Sequence, residues 1–120
     1  MVKVFIVDDD QALIKLYNLM LGGVGFEIID IALDGKIAVE KYRQFPIKPD
    51  VILMDYRMPI KNGIDAMIEI LQMNENEKIV FASADIDIRE EAFKSGACGF
   101  INKPFGMDEI LSVIEEIMSV

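Results

Sequence analysis

Short apolar runs alternate five times with longer stretches whose apolar residues recur every three or four positions. The run VKVFIV at 2–7 predicts a strand. Leu13, Leu16, Tyr17, Met20 and Leu21 then fall on one face of a helix over 11–21, which Gly22-Gly23 is expected to stop. FEIIDIA at 26–32 predicts a second strand. Asp34 stands where it can N-cap a second helix, whose stripe is Ile37, Ala38, Tyr42 and Phe45. VILM at 51–54 is apolar throughout, as a central parallel strand covered on both faces must be. Ile64, Met67, Ile68 and Leu71 mark a third helix, KIVFA at 78–82 a fourth strand, and a weaker pattern over 86–95 a fourth helix. GFIN at 99–102 predicts a short fifth strand. A last helix over 107–118 carries Ile110, Val113, Ile114, Ile117 and Met118 on one side.

Five strand–helix units in 120 residues predict an α/β fold with a parallel sheet, right-handed crossovers and helices on both faces. No linker or low-complexity stretch divides the chain, so one domain over 1–120 is expected. In open sheets of this kind a ligand site lies outside the carboxyl ends of the strands. The residues there form a short set. Asp8, Asp9 and Asp10 follow the first strand, Asp55 the third, Ser83-Ala84 the fourth and Asn102-Lys103-Pro104 the fifth.

Composition narrows the chemistry. The net charge of −9 and the scattered Lys and Arg argue against a nucleic-acid-binding face, which needs clustered cations. No run approaches membrane-spanning length and no signal-peptide pattern opens the chain, so a cytoplasmic protein is expected. Cys98 is the single cysteine; it is expected to be a small buried hydrophobe, and it suits a reducing interior. The absence of histidine removes Ser-His-Asp and Cys-His catalysis and any imidazole metal ligand. Chemistry must come from carboxylates, lysine, serine and backbone.

If the first and third strands are neighbours, several carboxylates converge, and like charges that close need a proton or a cation among them. An all-oxygen ligand set suits a hard divalent ion, with Mg²⁺ the leading expectation. Lys103 adds a positive charge and Ser83 a hydroxyl, which together suit the oxygens of a phosphoryl group. Asp55 is then the candidate acceptor, because a carboxylate can form an acyl phosphate. Asp10 is read separately, as the N-cap of the first helix.

The segments VDDD at 7–10, DYRMPIKNG at 55–63, SA at 83–84 and GFINKPF at 99–105 together resemble the receiver domain of two-component response regulators, in that family's order and spacing. The resemblance covers the whole chain. It implies the flavodoxin-like doubly wound fold, five parallel strands in the order 2-1-3-4-5 with five helices. It further implies Asp55 as phosphoacceptor, Asp9 as a direct Mg²⁺ ligand, Asp8 as one acting largely through water, and the backbone carbonyl of Arg57 as another. Lys103 would bridge to the phosphoryl group beside a cis bond to Pro104. Ser83 would turn its hydroxyl to the phosphate, and Phe100 would change rotamer with it. Serine at 83 replaces the family's commoner threonine and keeps the hydroxyl. Arg57 and Asp85 occupy variable positions beside the site, and are expected to pair across its mouth and slow dephosphorylation.

These roles imply a switch that catalyses its own phosphorylation and dephosphorylation, and not an enzyme in the turnover sense. Its donor would be a sensor histidine kinase or phosphotransfer protein, since the chain has no histidine of its own. Output would pass to a partner through the fourth helix, fifth strand and fifth helix, with Ile86, Ile88 and Met107 as candidate apolar contacts, from a monomer or weak dimer. A phosphatase resembling the haloacid dehalogenases is the alternative. It too would use a strand-end aspartate and Mg²⁺, but it would want an acid two residues later, where Arg57 stands. A flavodoxin-like cofactor binder would need a Ser/Thr/Gly-rich loop after the first strand, where the three acids would repel phosphate.

Overall fold

A computed structural model of the chain describes residues 1–119. The elements run β1 (Lys3–Val7), α1 (Gln11–Gly23), β2 (Glu27–Ala32), α2 (Gly35–Gln44), β3 (Val51–Met54), α3 (Gly63–Met73), β4 (Ile79–Ser83), a 3-10 turn (Ile86–Ile88), α4 (Arg89–Lys94), β5 (Gly99–Asn102) and α5 (Met107–Met118). All strand pairings are parallel and the sheet order is β2-β1-β3-β4-β5. The parallel α/β sheet expected from the alternating pattern is therefore observed, in the flavodoxin-like doubly wound order that the family resemblance implied.

Period-two alternation along the strands builds two cores. Phe5, Val7, Ile52, Met54, Ile79 and Phe81 point to the side covered by α2, α3 and α4. Val4, Ile6, Val51, Leu53, Val80 and Ile101 point to the side covered by α1 and α5. β1, β3 and β4 are buried on both faces, which is why they read as unbroken apolar runs.

Local signals account for the helix ends. Asp10 accepts from the amides of Ala12 and Leu13, and Asp34 from that of Ile37, so both aspartates are N-caps as expected. α1 does not stop at Gly22-Gly23 but includes both. It ends at Val24 in a Schellman motif. There Gly25 donates to the Gly22 carbonyl and Phe26 to that of Leu21, with Gly25 in the left-handed conformation at φ +88.

The buried stripe of α1 is Ile14, Tyr17 and Leu21, and it leaves Leu16, one residue off that line, exposed. Ile37 and Ile68 are likewise exposed at the margins of their stripes. The expected helix over 86–95 is a 3-10 turn followed by only six α-helical residues. Neither piece has a side-chain cap: the Asp85 carboxylate at the start of the turn pairs with Arg57, and α4 begins after Ile88, whose side chain has no acceptor. Ile88 turns inward and is core, Met107 is half-buried, and only Ile86 of the three proposed contacts is openly exposed. Cys98 is exposed, contrary to its expected burial. It precedes β5, the edge strand, and among the described residues no further strand lies outside to cover it. Among the described residues no helix is long and apolar enough to cross a membrane.

Candidate functional site

Register in the sheet assembles the site. Val7 of β1 pairs with Met54 of β3, and the Asp55 amide donates to the Val7 carbonyl at 2.9 Å, so Asp8 and Asp55 leave adjacent strands side by side. Ser83 of β4 pairs with Asn102 of β5, and the Lys103 amide donates to the Ser83 carbonyl at 2.9 Å. Asp8, Asp9, Asp10, Asp55, Arg57, Ser83, Ala84, Asp85 and Lys103 line one open cleft of about 480 Å³. The expected site residues therefore share it, except Phe100, which is half-buried on β5 and packs against the core under α2, α3 and α4.

The acids differ in environment. Asp8 and Asp55 are buried at 1% and 8% exposure, whereas Asp9 is exposed. An oxygen of each lies within 4.8 Å of the others, an all-oxygen donor set that suits a hard divalent cation. Asp8 accepts from the Asp10 amide at 2.9 Å, and Asp55 from the Tyr56 amide at 2.9 Å. Lys103 Nζ lies 2.8 Å from Asp8 Oδ2 and 3.3 Å from Asp55 Oδ1, a forked contact that neutralises part of the cluster.

Burial, reinforced by the Asp8 charge, pushes the Asp55 carboxyl up to about 6, against the pull of Lys103 and the Tyr56 amide. Lys103 is itself pushed upward: hydrogen bonding and the charges of Asp8 and Asp55 outweigh its burial, so it stays an ammonium. The Lys103–Pro104 peptide bond is cis, as the family resemblance implied.

Two further groups frame the mouth. Ser83 is buried, and its oxygen accepts from the Asp85 amide at 3.0 Å, leaving the hydroxyl proton available to a ligand in the cleft. Arg57 Nη2 reaches Asp85 Oδ2 at 2.7 Å, closing the predicted pair between the β3–α3 and β4–α4 loops. The Asp55 backbone is held close to α3 as well: a Cβ on Gly63 would stand 2.0 Å from the Asp55 carbonyl oxygen, so only glycine fits there.

One neighbour escaped the reading of the strand ends. Tyr17, read only as part of a helical stripe, is buried on α1 and stacks on Phe105, two residues past Lys103.

The sequence profile of the response regulator receiver domain matches residues 4–115. The chain is 37% identical over 117 residues to chemotaxis protein CheY of Thermotoga maritima, covering 96% of each. It is 34% identical over 119 residues to chemotaxis protein CheY of Bacillus subtilis, covering 98% of each. Its structure is similar to a chain of the CheX-CheY-BeF₃-Mg²⁺ complex from Borrelia burgdorferi, with TM-score 0.92 and 29% identity over 98% of this chain and 89% of that one. It is also similar to response regulator TrrA of Thermotoga maritima in complex with Mg²⁺ and BeF, with TM-score 0.88 and 26% identity over 98% of this chain and 99% of that one. The phosphatase alternative finds no support among these relatives, and the position where it needs a second acid holds the Arg57 guanidinium, paired outward to Asp85.

Proposed function

The chain belongs to the response regulator receiver domain family of two-component signalling, and from that premise we propose that it is a phosphorylation switch with Asp55 as the acceptor. The observation that carries this reading is the fork of Lys103 between Asp8 and Asp55, inside a cluster of three acids at the ends of neighbouring strands.

Mg²⁺ would be held by Asp9, by Asp8 largely through water, by Asp55 and by the Arg57 carbonyl; the donor set is oxygen only, and the similar CheY and TrrA structures are Mg²⁺ complexes. When bound, the ion neutralises charge on phosphoryl oxygens. The chain's own residues carry the rest.

An oxygen of the Asp55 carboxylate attacks the phosphorus of a phosphohistidine in line. An O–P bond forms as the P–N bond breaks, and the departing imidazole nitrogen keeps the electron pair and takes one proton from solvent. Lys103 releases Asp8 or Asp55 to meet a phosphoryl oxygen, and the Ser83 hydroxyl donates to another. Drawing in Ser83 pulls on the Asp85 amide bonded to its oxygen, so the loop after β4 moves with it. Phe100, half-buried beside that loop's strand, repacks in response. Water attack on phosphorus later breaks the bond to Asp55, releases inorganic phosphate and resets the switch. The protein acts on its own modification and is not a turnover enzyme. The Arg57–Asp85 pair spans the mouth and slows that water.

The donor is a sensor histidine kinase or a phosphotransfer protein. The output face is α4, β5 and α5, where Arg89, Phe93, Phe100, Val113 and Ile117 line a groove of about 530 Å³. A downstream protein docks there, and the chain works in the cytoplasm as a receiver domain, monomeric or weakly dimeric, without binding nucleic acid.

Incubation with Mg²⁺ and acetyl phosphate tests this reading. Intact-mass measurement should show one phosphoryl group per chain with no sustained phosphate release beyond slow decay. Continuous rapid release, or no uptake, would reject it.

A further inference from the structure

Lys103 must meet the phosphoryl oxygens at a set position, yet little backbone bonding fixes it. Its amide makes the last β5 bond, to Ser83. Pro104 has no amide hydrogen, and the Phe105 amide has no partner among the described residues. What holds the segment is the Phe105 ring. It lies on Tyr17 with centroids 5.6 Å apart and planes 22° apart. Tyr17 is 1% exposed and is wedged in α1 between Ile14 and Leu21, so this half of the stack is fixed. Pro104, with its φ locked by the ring, is the only residue between the stack and Lys103. The Lys103 ammonium then reaches Asp8 and Asp55 at 2.8 and 3.3 Å. Burial and the charges of Asp8 and Asp55 keep the Tyr17 phenol protonated, so its ring adds no charge to the site.

We infer that Tyr17 is a positioning residue for Lys103, acting by stacking on Phe105 and thereby fixing where the ammonium meets the phosphoryl group on Asp55. The inference rests on the reading of Asp55 as phosphoacceptor. A leucine at 17 would still fill core but would offer Phe105 no planar face.

The test compares Tyr17→Leu, Tyr17→Phe and Phe105→Leu, each with Lys103 present and in a Lys103→Met background. Phosphorylation by acetyl phosphate is followed at saturating Mg²⁺, and Mg²⁺ affinity is measured separately by calorimetry. Small misplacement of a charge-neutralising group is expected to slow Tyr17→Leu and Phe105→Leu about tenfold. Tyr17→Phe keeps the stack and stays within about twofold, and Mg²⁺ affinity stays within about twofold throughout. In the Lys103→Met background the same leucine substitutions change the residual rate by less than about twofold, because the group they position is gone. Equal losses with and without Lys103, or no loss in either leucine variant, would overturn the inference.

NMR resonances of the Lys103 side-chain methylenes give a readout that needs no phosphorylation. They should move in Tyr17→Leu or Phe105→Leu and hold in Tyr17→Phe; unmoved resonances in the leucine variants overturn the clamp. Failure of the wild type to take up phosphate would instead remove the phosphoacceptor reading, while the lysine resonances still decide the clamp.

Discussion

Asp55 carries a stability penalty that its neutral isostere lacks. The side chain is 8% exposed, and burial with the Asp8 charge moves its carboxyl from 3.8 up to about 6. Above about pH 6 both folded and unfolded chains hold the ionised form, and the folded chain holds it at a disadvantage. As pH falls from 6 towards 3.8 the folded state takes up its proton first and the penalty shrinks; below the lower value it is gone.

The difference between those two values corresponds to roughly 3 kcal/mol, which water in the open cleft reduces to about 2. Asparagine keeps an oxygen for the Tyr56 amide and removes the charge. In Mg²⁺-free buffer near neutral pH, Asp55→Asn should therefore be about 2 kcal/mol more stable than wild type, a shift of about 1 M in the urea midpoint. At about pH 4.5 the gain should fall below roughly 1 kcal/mol. Urea unfolding followed by circular dichroism at both pH values measures this. An asparagine variant no more stable than wild type near neutrality, or a gain that ignores pH, would refute the reasoning.

Two further outcomes follow from the same geometry. Mg²⁺ at about a hundredfold its dissociation constant should stabilise the fold by roughly 2.7 kcal/mol, seen as a rise in melting temperature, and Asp9→Ala should abolish most of that rise. Arg57→Ala should leave stability within about 1 kcal/mol, since Arg57 is 80% exposed, yet should speed loss of the acyl phosphate severalfold in a phosphate-release assay; an unchanged rate would remove the pair from the mechanism.

The parallel sheet was legible because its central strands must be apolar on both faces, as VILM at 51–54 is, whereas the strand order came only with the family resemblance. The site was legible for a related reason. Parallel strands present their carboxyl ends on one edge, so acids far apart in sequence at 8, 9 and 55 could be expected together, and a lysine and a serine with them. The short α4 was less legible, because Ile86 and Ile88 look alike in sequence, and only the 3-10 geometry sends one out and the other in. Cys98 was misread because its small neighbours Ala97 and Gly99 suggested burial, although the residue precedes the edge strand β5 and is exposed there. Tyr17 was hidden in plain periodicity. A tyrosine in a buried stripe, opposite a phenylalanine two residues past Lys103, becomes meaningful only when the stack is seen.

The central claim is that Asp55 accepts the phosphoryl group inside the acidic cluster. Peptide mapping of the folded protein after incubation with acetyl phosphate tests it most directly. The modification should appear on the peptide that carries Asp55, only with Mg²⁺ present, and should vanish in Asp55→Asn. A phosphoryl group on another residue of the wild-type chain, or uptake that survives in Asp55→Asn at the wild-type rate, would contradict it.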